Sequence, residues 1–266
     1  MSFVSEKSKG MPRSVIREMF AMQTGLEHVV SFALGEPDFT TPKHIIDATV
    51  ASFQRGETHY TPNTGIPALR KAVSETYEKR GLSYWPEEIL IGAGGVSVMN
   101  LACGAILDVG DEVLIPDPGW PNYRGMILQW GAVPVPVAVR EEDGFMYTAE
   151  ALRRAITKKT KAIIINSPSN PTGGVASAET LGQIADLVKE QDLYVISDEI
   201  YHELVWSGEP YTSIAQFPGM KERTVIMDGF SKQYAMTGFR LGWGAAPREV
   251  IVTMAKLLEN MLSSVN

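Results

Sequence analysis

The chain has 266 residues, of which 44% are hydrophobic and 21% are charged, and its formal net charge at pH 7 is −7. This length can bury a substantial core, and the composition is that of a globular α/β protein, which excludes a disordered or fibrous chain. The basic residues are scattered apart from one cluster between Arg153 and Lys161. The footprint of a nucleic-acid-binding protein is therefore missing.

Cysteine and histidine usage argues against disulfide and metal chemistry. Cys103 is the single cysteine in the sequence and lies in an apolar run, so we expect it to pack as a small hydrophobic side chain in a reducing, cytoplasmic protein. The four histidines have no metal-ligand spacing, and we expect no metal site. The first ten residues lack the apolar core of a signal sequence, and no later stretch reaches the roughly 18 apolar residues of a membrane span.

The first part of the chain predicts helices and one ordered loop. Apolar residues at helical spacing indicate an amphipathic helix after a mobile start, at Val15, Ile16, Met19, Phe20 and Met22. Glycine and proline residues exclude regular structure from Ser31 to Pro42. Helices are predicted from Lys43 to Arg55 and from Pro67 to Arg80, with Tyr60 in the turn-rich segment between them.

From Ile89 onward, predicted strands and helices alternate. The strands are expected at residues 89–91, 112–115, 133–139, 161–165, 193–197, 224–227 and 241–245. The helices are expected at residues 96–107, within 118–130, at 148–156, at 178–190 and from 247 onward. This alternation predicts an α/β fold with a mainly parallel seven-stranded sheet and helices on both faces.

Ligands of such a sheet collect at the carboxyl ends of its strands. Four polar or glycine-rich stretches follow predicted strands at that edge, at residues 92–95, 116–123, 166–174 and 198–201. We therefore expect these stretches to form the walls of a single pocket.

The sequence Gly94-Gly95-Val96 ends a strand and opens a helix, so its backbone N–H groups and the positive end of the helix dipole are suited to hold a phosphate. The rival interpretation is a dinucleotide-binding fingerprint that begins at Gly92. Ser97 does not supply the third small position of that fingerprint, although Asp117 stands about where a ribose-binding acid would be expected.

Three charged residues suggest a buried ligand. Lys232 has no charged neighbour between Asp228 and Arg240, which indicates burial, whereas a lysine taken alone is usually solvated. Arg240 offers parallel donors that suit a phosphate. Asp198 directly follows a predicted buried strand, where a carboxylate is costly unless it meets a cation such as a protonated pyridine nitrogen.

Three further side chains suit a flat heteroaromatic ring. Trp120, held between Pro118 and Pro121, is suited to stack on such a ring, although core packing explains it equally well. Asn170 is suited to hydrogen-bond a phenolate-like oxygen, although the same residue serves any tight turn. Tyr201 is placed to reach the ring edge opposite the one that Asp198 would face.

Taken together, these motifs resemble the pyridoxal-phosphate-dependent aminotransferases of fold type I, class I/II, from about Ser31 to Trp243. The resemblance implies that Lys232 is the Schiff-base lysine and the proton carrier of the reaction. It implies that Asp198 keeps the pyridine nitrogen of pyridoxal 5'-phosphate protonated, and that Asn170 and Tyr201 bond its phenolic oxygen. On this basis, the catalytic residues are Lys232, Asp198 and Tyr201.

The resemblance also implies contacts with the rest of the cofactor and with the substrates. Trp120 would stack on the ring. The phosphate would be held by Gly94, Gly95, Val96, Ser231 and Arg240. Tyr60 would reach the phosphate of the neighbouring subunit, which implies a homodimer with shared active sites. Gly35 and Asn170 would lie beside the substrate, an amino acid or a 2-oxo acid.

Two departures from the family pattern alter these expectations. Val96 stands where similar aspartate aminotransferases carry a lysine for the substrate's distal carboxylate, so we expect aromatic or apolar amino donors to be favoured over aspartate. Family members also continue well past the lysine, so we expect this chain to be a fragment. The expected division is an N-terminal arm with part of the small domain at 1–44, a large cofactor-binding domain at 45–246, and the start of an interdomain helix at 247–266, with the C-terminal small domain absent.

The same motifs are compatible with two functions other than amino transfer. One is another pyridoxal-phosphate reaction on the same fold, such as the β-elimination of a cysteine conjugate by a C–S β-lyase. The other is a non-catalytic fragment that binds the cofactor.

Overall fold

The computed structural model describes residues 3–12, 15–22, 25, 26, 28–30, 35–206, 208 and 210–265, without the side chains of residues 15–17 and 20. A seven-stranded sheet lies at its centre. The strands are β1 (Ile89–Gly92), β2 (Glu112–Asp117), β3 (Val133–Ala138), β4 (Thr160–Asn166), β5 (Tyr194–Asp198), β6 (Thr224–Gly229) and β7 (Gly242–Ala245). They lie in the order β1-β7-β6-β5-β4-β2-β3.

The sheet is mainly parallel, as the sequence predicts. β3 pairs with β2, β2 with β4, β4 with β5 and β5 with β6, and all four pairings are parallel. β7 runs antiparallel to both of its neighbours, β6 and β1. Each predicted strand is found with its bounds within two residues of the expectation.

Helices cover the sheet and precede it. They are α1 (Glu6–Lys9), α2 (Val15–Met22), α3 (Lys43–Gln54), α4 (Pro67–Lys79), α5 (Gly94–Ile106), α6 (Asn122–Gln129), α7 (Ala149–Ala155), α8 (Ala178–Glu190) and α9 (Arg248–Leu262). The predicted start of α5 at Val96 is wrong, because the helix begins two residues earlier, at Gly94. No helix among the described residues is both long and apolar enough to cross a membrane.

Several helix ends follow local sequence signals. Pro67 occupies the first turn of α4, where its missing N–H costs no hydrogen bond. The Ser177 hydroxyl accepts a 3.0 Å hydrogen bond from the backbone N–H of Thr180 at the start of α8. Thr148 caps α7 in the same way, through a 3.1 Å bond from Ala151. Such caps satisfy N–H groups that would otherwise lack a partner within the helix.

The N-terminal predictions are described only in part. The predicted amphipathic helix coincides with α2, and Met19 and Met22 on it are exposed. The side chains of Val15, Ile16 and Phe20 lie outside the described residues. The predicted loop from Ser31 to Pro42 lies outside them as far as residue 34 and is irregular from residue 35 onward.

The core has one layer on each face of the sheet. Along β4, Ala162 and Ile164 pack in the layer that contains α5, α6 and α9, whereas Ile163 and Ile165 pack in the layer that contains α7 and α8. This alternation follows from the two-residue repeat of a strand, and it confirms helices on both faces. Cys103 is buried in the first layer, where burial raises the pKa of its thiol to about 12, so it packs as a small apolar side chain.

Candidate functional site

The carboxyl ends of β4, β5 and β6 meet at one edge of the sheet. The parallel register pairs Asn166 with Asp198, and Asp198 with Met227. The loops that follow these strands therefore start side by side. They carry the predicted site residues of three separate sequence segments, residues 166–174, 198–201 and 228–240.

Asp198 is a buried carboxyl at the end of β5. The Tyr123 hydroxyl donates a 2.6 Å hydrogen bond to its Oδ2, and the Ile200 backbone N–H donates a 3.3 Å bond to its Oδ1. Within the described part of the chain, no cation lies within ion-pair distance of this carboxyl. Burial raises the pKa of Asp198 to about 7, although the two hydrogen bonds oppose the change. A cationic ligand at this position would therefore be strongly stabilised.

Asn170 and Tyr201 lie together beside Asp198. The Asn170 side-chain amide donates a 3.4 Å hydrogen bond to the Tyr201 hydroxyl. The Asn170 backbone is held by a 2.7 Å bond from its N–H to Oδ1 of Asn166, whose amide donates in turn to the backbone oxygen of Asp198 at 3.2 Å. Burial, followed by the nearby charge of Asp198, raises the pKa of Tyr201 to about 12. The phenol therefore keeps its proton and can donate it in a hydrogen bond.

The Lys232 amine lies between the Tyr201 ring and the segment from Gly35. Its Nζ is 5.8 Å from the centroid of that ring and donates a hydrogen bond to the Gly35 carbonyl oxygen. Burial is the main cause that lowers the pKa of Lys232, and the charge of Arg240 acts in the same direction, against Glu36 and Asp198. The lowered pKa makes the neutral, nucleophilic form of the amine easier to reach than in an exposed lysine.

The first turn of α5 and Arg240 form a cradle for an anion. A Cβ atom added to Gly94 would lie 2.7 Å from Nη2 of Arg240, so the guanidinium touches the backbone at the start of the helix. Arg240 has a left-handed backbone with φ of 54°, and its Nη1 donates a 2.8 Å bond to the Thr237 carbonyl. No carboxylate pairs with this guanidinium among the residues that the structure describes. A cation beside a helix N-terminus suits a phosphate.

The remaining predicted site residues differ in their surroundings. Ser231 is buried next to Lys232. Trp120 is partly buried and packs edge-on against Tyr123, with ring centroids 5.1 Å apart. Val96 is exposed on the first turn of α5, with a relative exposure of 42%. Tyr60 is 91% exposed and shares no side-chain hydrogen bond with a described residue, so the structure does not bring it to the site of its own chain.

Sequence reasoning missed the partners behind these residues. Tyr123 belongs to the predicted ligand-edge stretch 116–123, and this position was the available signal for its contact with Asp198. It also missed a buried charge cluster of Arg80, Glu199, His202 and Asp228. Two consecutive acids after a buried strand signalled that Glu199 needs a cation, although nothing local indicated which one.

The fold and the site define a class of protein. A buried carboxyl without a cation suits a ring that carries a protonated nitrogen, and the cradle at α5 suits a phosphate. Lys232 supplies an amine of lowered pKa between these two features. The residues present therefore fit pyridoxal 5'-phosphate, which combines a phosphate, a basic ring nitrogen and a carbonyl carbon. Within the described residues, no three His, Cys, Asp or Glu side chains gather as a metal site would require.

Comparison with known proteins identifies the family. The family model for aminotransferase class I and II matches residues 27–266, and the chain belongs to this family, whose members use pyridoxal phosphate. It is 42% identical over 238 residues to an aspartate aminotransferase of Bacillus sp. (strain YM-2), covering 89% of this chain and 61% of that protein. It is 40% identical over 255 residues to aromatic-amino-acid aminotransferase 2 of Thermococcus litoralis, covering 95% of this chain and 66% of that protein.

The fold comparison agrees with the sequence comparison. The structure of Thermus thermophilus aspartate aminotransferase with maleate superimposes with a TM-score of 0.95 at 38% identity, covering all of this chain and 70% of that one. The predicted fold type is confirmed. The chain spans about two thirds or less of the length of the two relatives described above.

Proposed function

We propose that this chain binds pyridoxal 5'-phosphate at the gathered site and transfers an amino group between an amino acid and a 2-oxo acid. The observation that carries the proposal is the buried Asp198 carboxyl, which has hydrogen-bond donors but no cation beside it among the residues that the structure describes. The Lys232 amine, whose pKa is lowered, lies close to this carboxyl. When bound, the cofactor supplies an electron sink that stabilises negative charge on the substrate's α-carbon.

Each proposed role follows from a side chain's position. Asp198 would pair with the protonated ring nitrogen, and this pairing would offset the cost of its own burial. Tyr201 and Asn170, already in contact with each other, donate to the phenolic oxygen. Lys232 would hold the cofactor covalently through Nζ, and the same amine would move a proton to and from the substrate. To do so, Nζ must leave the Gly35 carbonyl oxygen.

The remaining roles concern the phosphate, the ring face and the substrate. The proposed phosphate ligands are the N–H groups at the start of α5, the Ser231 hydroxyl and the Arg240 guanidinium. Trp120 covers the face of the ring. Gly35 lies beside the substrate carboxylate, which its contact with Lys232 supports.

Aromatic or apolar amino acids are the proposed donors, in preference to aspartate. Val96 presents an exposed apolar side chain on the first turn of α5, where a cation would be needed to attract a second carboxylate. One relative is named an aspartate aminotransferase and another an aromatic-amino-acid aminotransferase, so their names do not favour either donor. The proposed preference therefore rests on the Val96 side chain.

The proposed assembly is a homodimer with shared active sites. α3 has no buried residue, and Ile46, Val50 and Phe53 expose an apolar stripe along it. Contiguous exposed apolar side chains of this kind commonly mark an interface. Tyr60 follows α3 and projects outward, as a residue that serves the partner's phosphate would.

The proposal keeps the division into an arm at 1–44, a large domain at 45–246 and the start of an interdomain helix at 247–266. It also places the protein in the cytoplasm, where the single thiol, Cys103, stays reduced and buried.

Cofactor attachment is the first test. Protein incubated with pyridoxal 5'-phosphate should show a visible absorbance band that borohydride abolishes, with the reduced cofactor's mass on the peptide containing Lys232. Lys232→Ala should lose both signals and all turnover, whereas Lys158→Ala, away from the site, should keep them. Turnover that survives in Lys232→Ala would contradict the proposal.

A single-substrate reaction separates amino transfer from elimination. Loaded protein given phenylalanine without a 2-oxo acid should release one equivalent of the 2-oxo acid product and retain the amino group. Continuous ammonia release from a cysteine conjugate would instead indicate a lyase.

A further inference from the structure

A buried cluster of four charged or titratable side chains lies behind the Asp198 turn. Arg80, just after α4, pairs through Nη2 with Glu199 and lies 3.7 Å through Nη1 from Oδ2 of Asp228. The side chains of Glu199 and Asp228 are fully buried. Two ionised carboxylates buried together are costly, burial raises the pKa of Asp228, and Arg80 supplies one compensating positive charge.

His202 is placed to supply the second positive charge. Its Nδ1 lies 3.1 Å from Oδ2 of Asp228 and 3.0 Å from the backbone oxygen of Glu199. Its Nε2 lies 3.3 Å from Oε1 of Glu203. Both ring nitrogens therefore face acceptors, and a neutral imidazole has only one N–H to donate. Of these contacts, only that of Nδ1 with the Glu199 oxygen has hydrogen-bond geometry, but the carboxylates of Asp228 and Glu203 both face the ring, which suits an imidazolium.

The cluster joins the segments that carry the proposed cofactor contacts. Glu199 directly follows Asp198, and His202 directly follows Tyr201. Asp228 lies in β6 at the start of the loop that leads to Lys232. An ion pair lost within this cluster therefore disturbs the attachment of the turn to the strand beside it.

We propose that Arg80 and His202 are positioning residues, and that protonation of His202 strengthens binding of pyridoxal 5'-phosphate by fixing the Asp198–Tyr201 turn against β6. The link to this cofactor rests on the proposed function above. The charge of His202 itself rests on the cluster alone.

The direction of the pH effect follows from the contacts of His202. Burial alone would lower the pKa of His202, but the nearby Asp228 carboxylate outweighs burial and Arg80, and the net pKa is raised. The stabilisation is therefore complete below the ordinary pKa of histidine and is lost as the pH rises through the raised value. The titratable or charged groups that face His202 are Asp228 from β6, Glu199 and Glu203 from the turn, Arg80 from the end of α4, and Tyr211 from the following segment.

The test compares cofactor affinity between variants across a pH series. His202→Gln imitates neutral histidine, because an amide can donate one hydrogen bond but carries no charge. The dissociation constant for pyridoxal 5'-phosphate is measured for this variant and for the wild type, and their ratio cancels the cofactor's own titration. We expect the dissociation constant of the variant to exceed that of the wild type roughly tenfold at acidic pH, which is the scale of one charge-assisted hydrogen bond. This ratio should fall toward one at alkaline pH.

The controls define the outcomes. His44→Gln, an exposed histidine on α3, should give a ratio of one throughout. A ratio for His202→Gln that does not change with pH would overturn the inference. Arg80→Lys should retain more affinity than Arg80→Gln, because it keeps the charge near both carboxylates.

A second variant tests the proposal even if His202→Gln fails to fold. Glu203 is exposed, so Glu203→Gln removes one negative charge that faces His202 without opening the core. It should move the pH dependence of affinity to lower pH, and an unmoved midpoint would count against the proposal.

Nuclear magnetic resonance of the cofactor-loaded, ring-labelled protein reads the charge directly. Both His202 ring nitrogens should still carry protons above the pH at which an unfolded histidine loses one, and a ring that is neutral there would overturn the inference. If the wild type binds no pyridoxal 5'-phosphate, the proposed function fails and the proposed effect on affinity fails with it. The same measurement on the unloaded chain then decides the charge of His202 separately.

Discussion

The Tyr123 hydroxyl donates a 2.6 Å hydrogen bond to Oδ2 of Asp198, which lies 75 residues further along the chain. Tyr123 is fully buried in the first turn of α6, and Asp198 ends β5. The bond therefore connects the loop that carries Trp120 to the carboxyl that would face the cofactor's ring nitrogen. It also stabilises the ionised carboxylate against the effect of burial.

Tyr123→Phe should weaken cofactor binding by about tenfold or more, because a hydrogen bond to a charged group contributes about 1.5–3 kcal/mol. The pKa of Asp198 should rise further, since the phenol donates to its charged form. Cofactor titration measures the first effect, and carboxyl carbon resonance measures the second. Tyr147→Phe is the matched control, because the Tyr147 hydroxyl is buried and has no partner among the described residues. Equal affinities for the two variants would contradict this role of Tyr123.

Asp198 should make the cofactor-free protein less stable as the pH rises. Its folded pKa of about 7 lies above the ordinary value of 3.8 for aspartate, so the folded state holds the proton more tightly than the unfolded state does. The resulting stabilisation is complete below the unfolded pKa and is lost as the pH rises through the folded value. Relative to Asp198→Asn, the wild type should lose free energy of unfolding between about pH 4 and pH 7. Denaturant unfolding at a series of pH values measures this difference, and parallel curves for the two proteins would count against it.

The sequence could predict the sheet and the edge at which the site lies, because both depend on local patterns. Alternating strands and helices imply parallel pairing, and parallel pairing brings the carboxyl ends together. Asp198, Asn170 and Tyr201 could be found in this way, since each follows a strand at that edge.

Other contacts could not be predicted, because no local pattern carries them. The bond between Lys232 and Gly35 spans 197 residues, and the pair of Arg80 and Glu199 spans 119. The sequence predicts a start of α5 two residues too late, because glycine disfavours helix. Tertiary packing outweighs that preference, since a Cβ on Gly95 would lie 2.5 Å from Sδ of Met227.

Gly242→Ala should destabilise the protein by about 1–3 kcal/mol, because overpacking a tight contact forces the backbone to move. A Cβ at Gly242 would lie 2.7 Å from the backbone nitrogen of Gly95 and 2.8 Å from the carbonyl carbon of Gly94. Gly238→Ala is the control, since a Cβ there meets nothing within 4 Å. Urea unfolding measures both variants. Equal urea midpoints for the two variants would show that the start of α5 moves to accommodate the methyl group without loss of stability.

Val96→Lys should shift donor preference toward aspartate. A lysine at this exposed position on the first turn of α5 would add the positive charge that a distal carboxylate requires, and a charge contact at an exposed position is worth up to about 1 kcal/mol. The ratio of kcat/KM for aspartate to that for phenylalanine should therefore rise several-fold. Val96→Met is the control, because it changes size without charge. A wild type already faster with aspartate than with phenylalanine or methionine would contradict the proposed preference.

Mixed dimers should test whether Tyr60 serves the partner's site. Tyr60→Ala and Lys232→Ala chains are each expected to have little or no activity alone. If Tyr60 reaches across the interface, a mixed dimer contains one site that lacks both groups and one that is intact, so mixing the two inactive chains should restore activity.

The control for the mixed-dimer experiment is the pair Asp198→Asn and Lys232→Ala. Both residues belong to the site of one chain, so each site of their mixed dimer keeps one defect and mixing should restore nothing. Phe53→Glu, on the exposed stripe of α3, should abolish recovery by preventing association, which analytical ultracentrifugation measures. If Tyr60→Ala and Lys232→Ala chains form a mixed dimer that stays inactive, Tyr60 acts within its own chain or not at all.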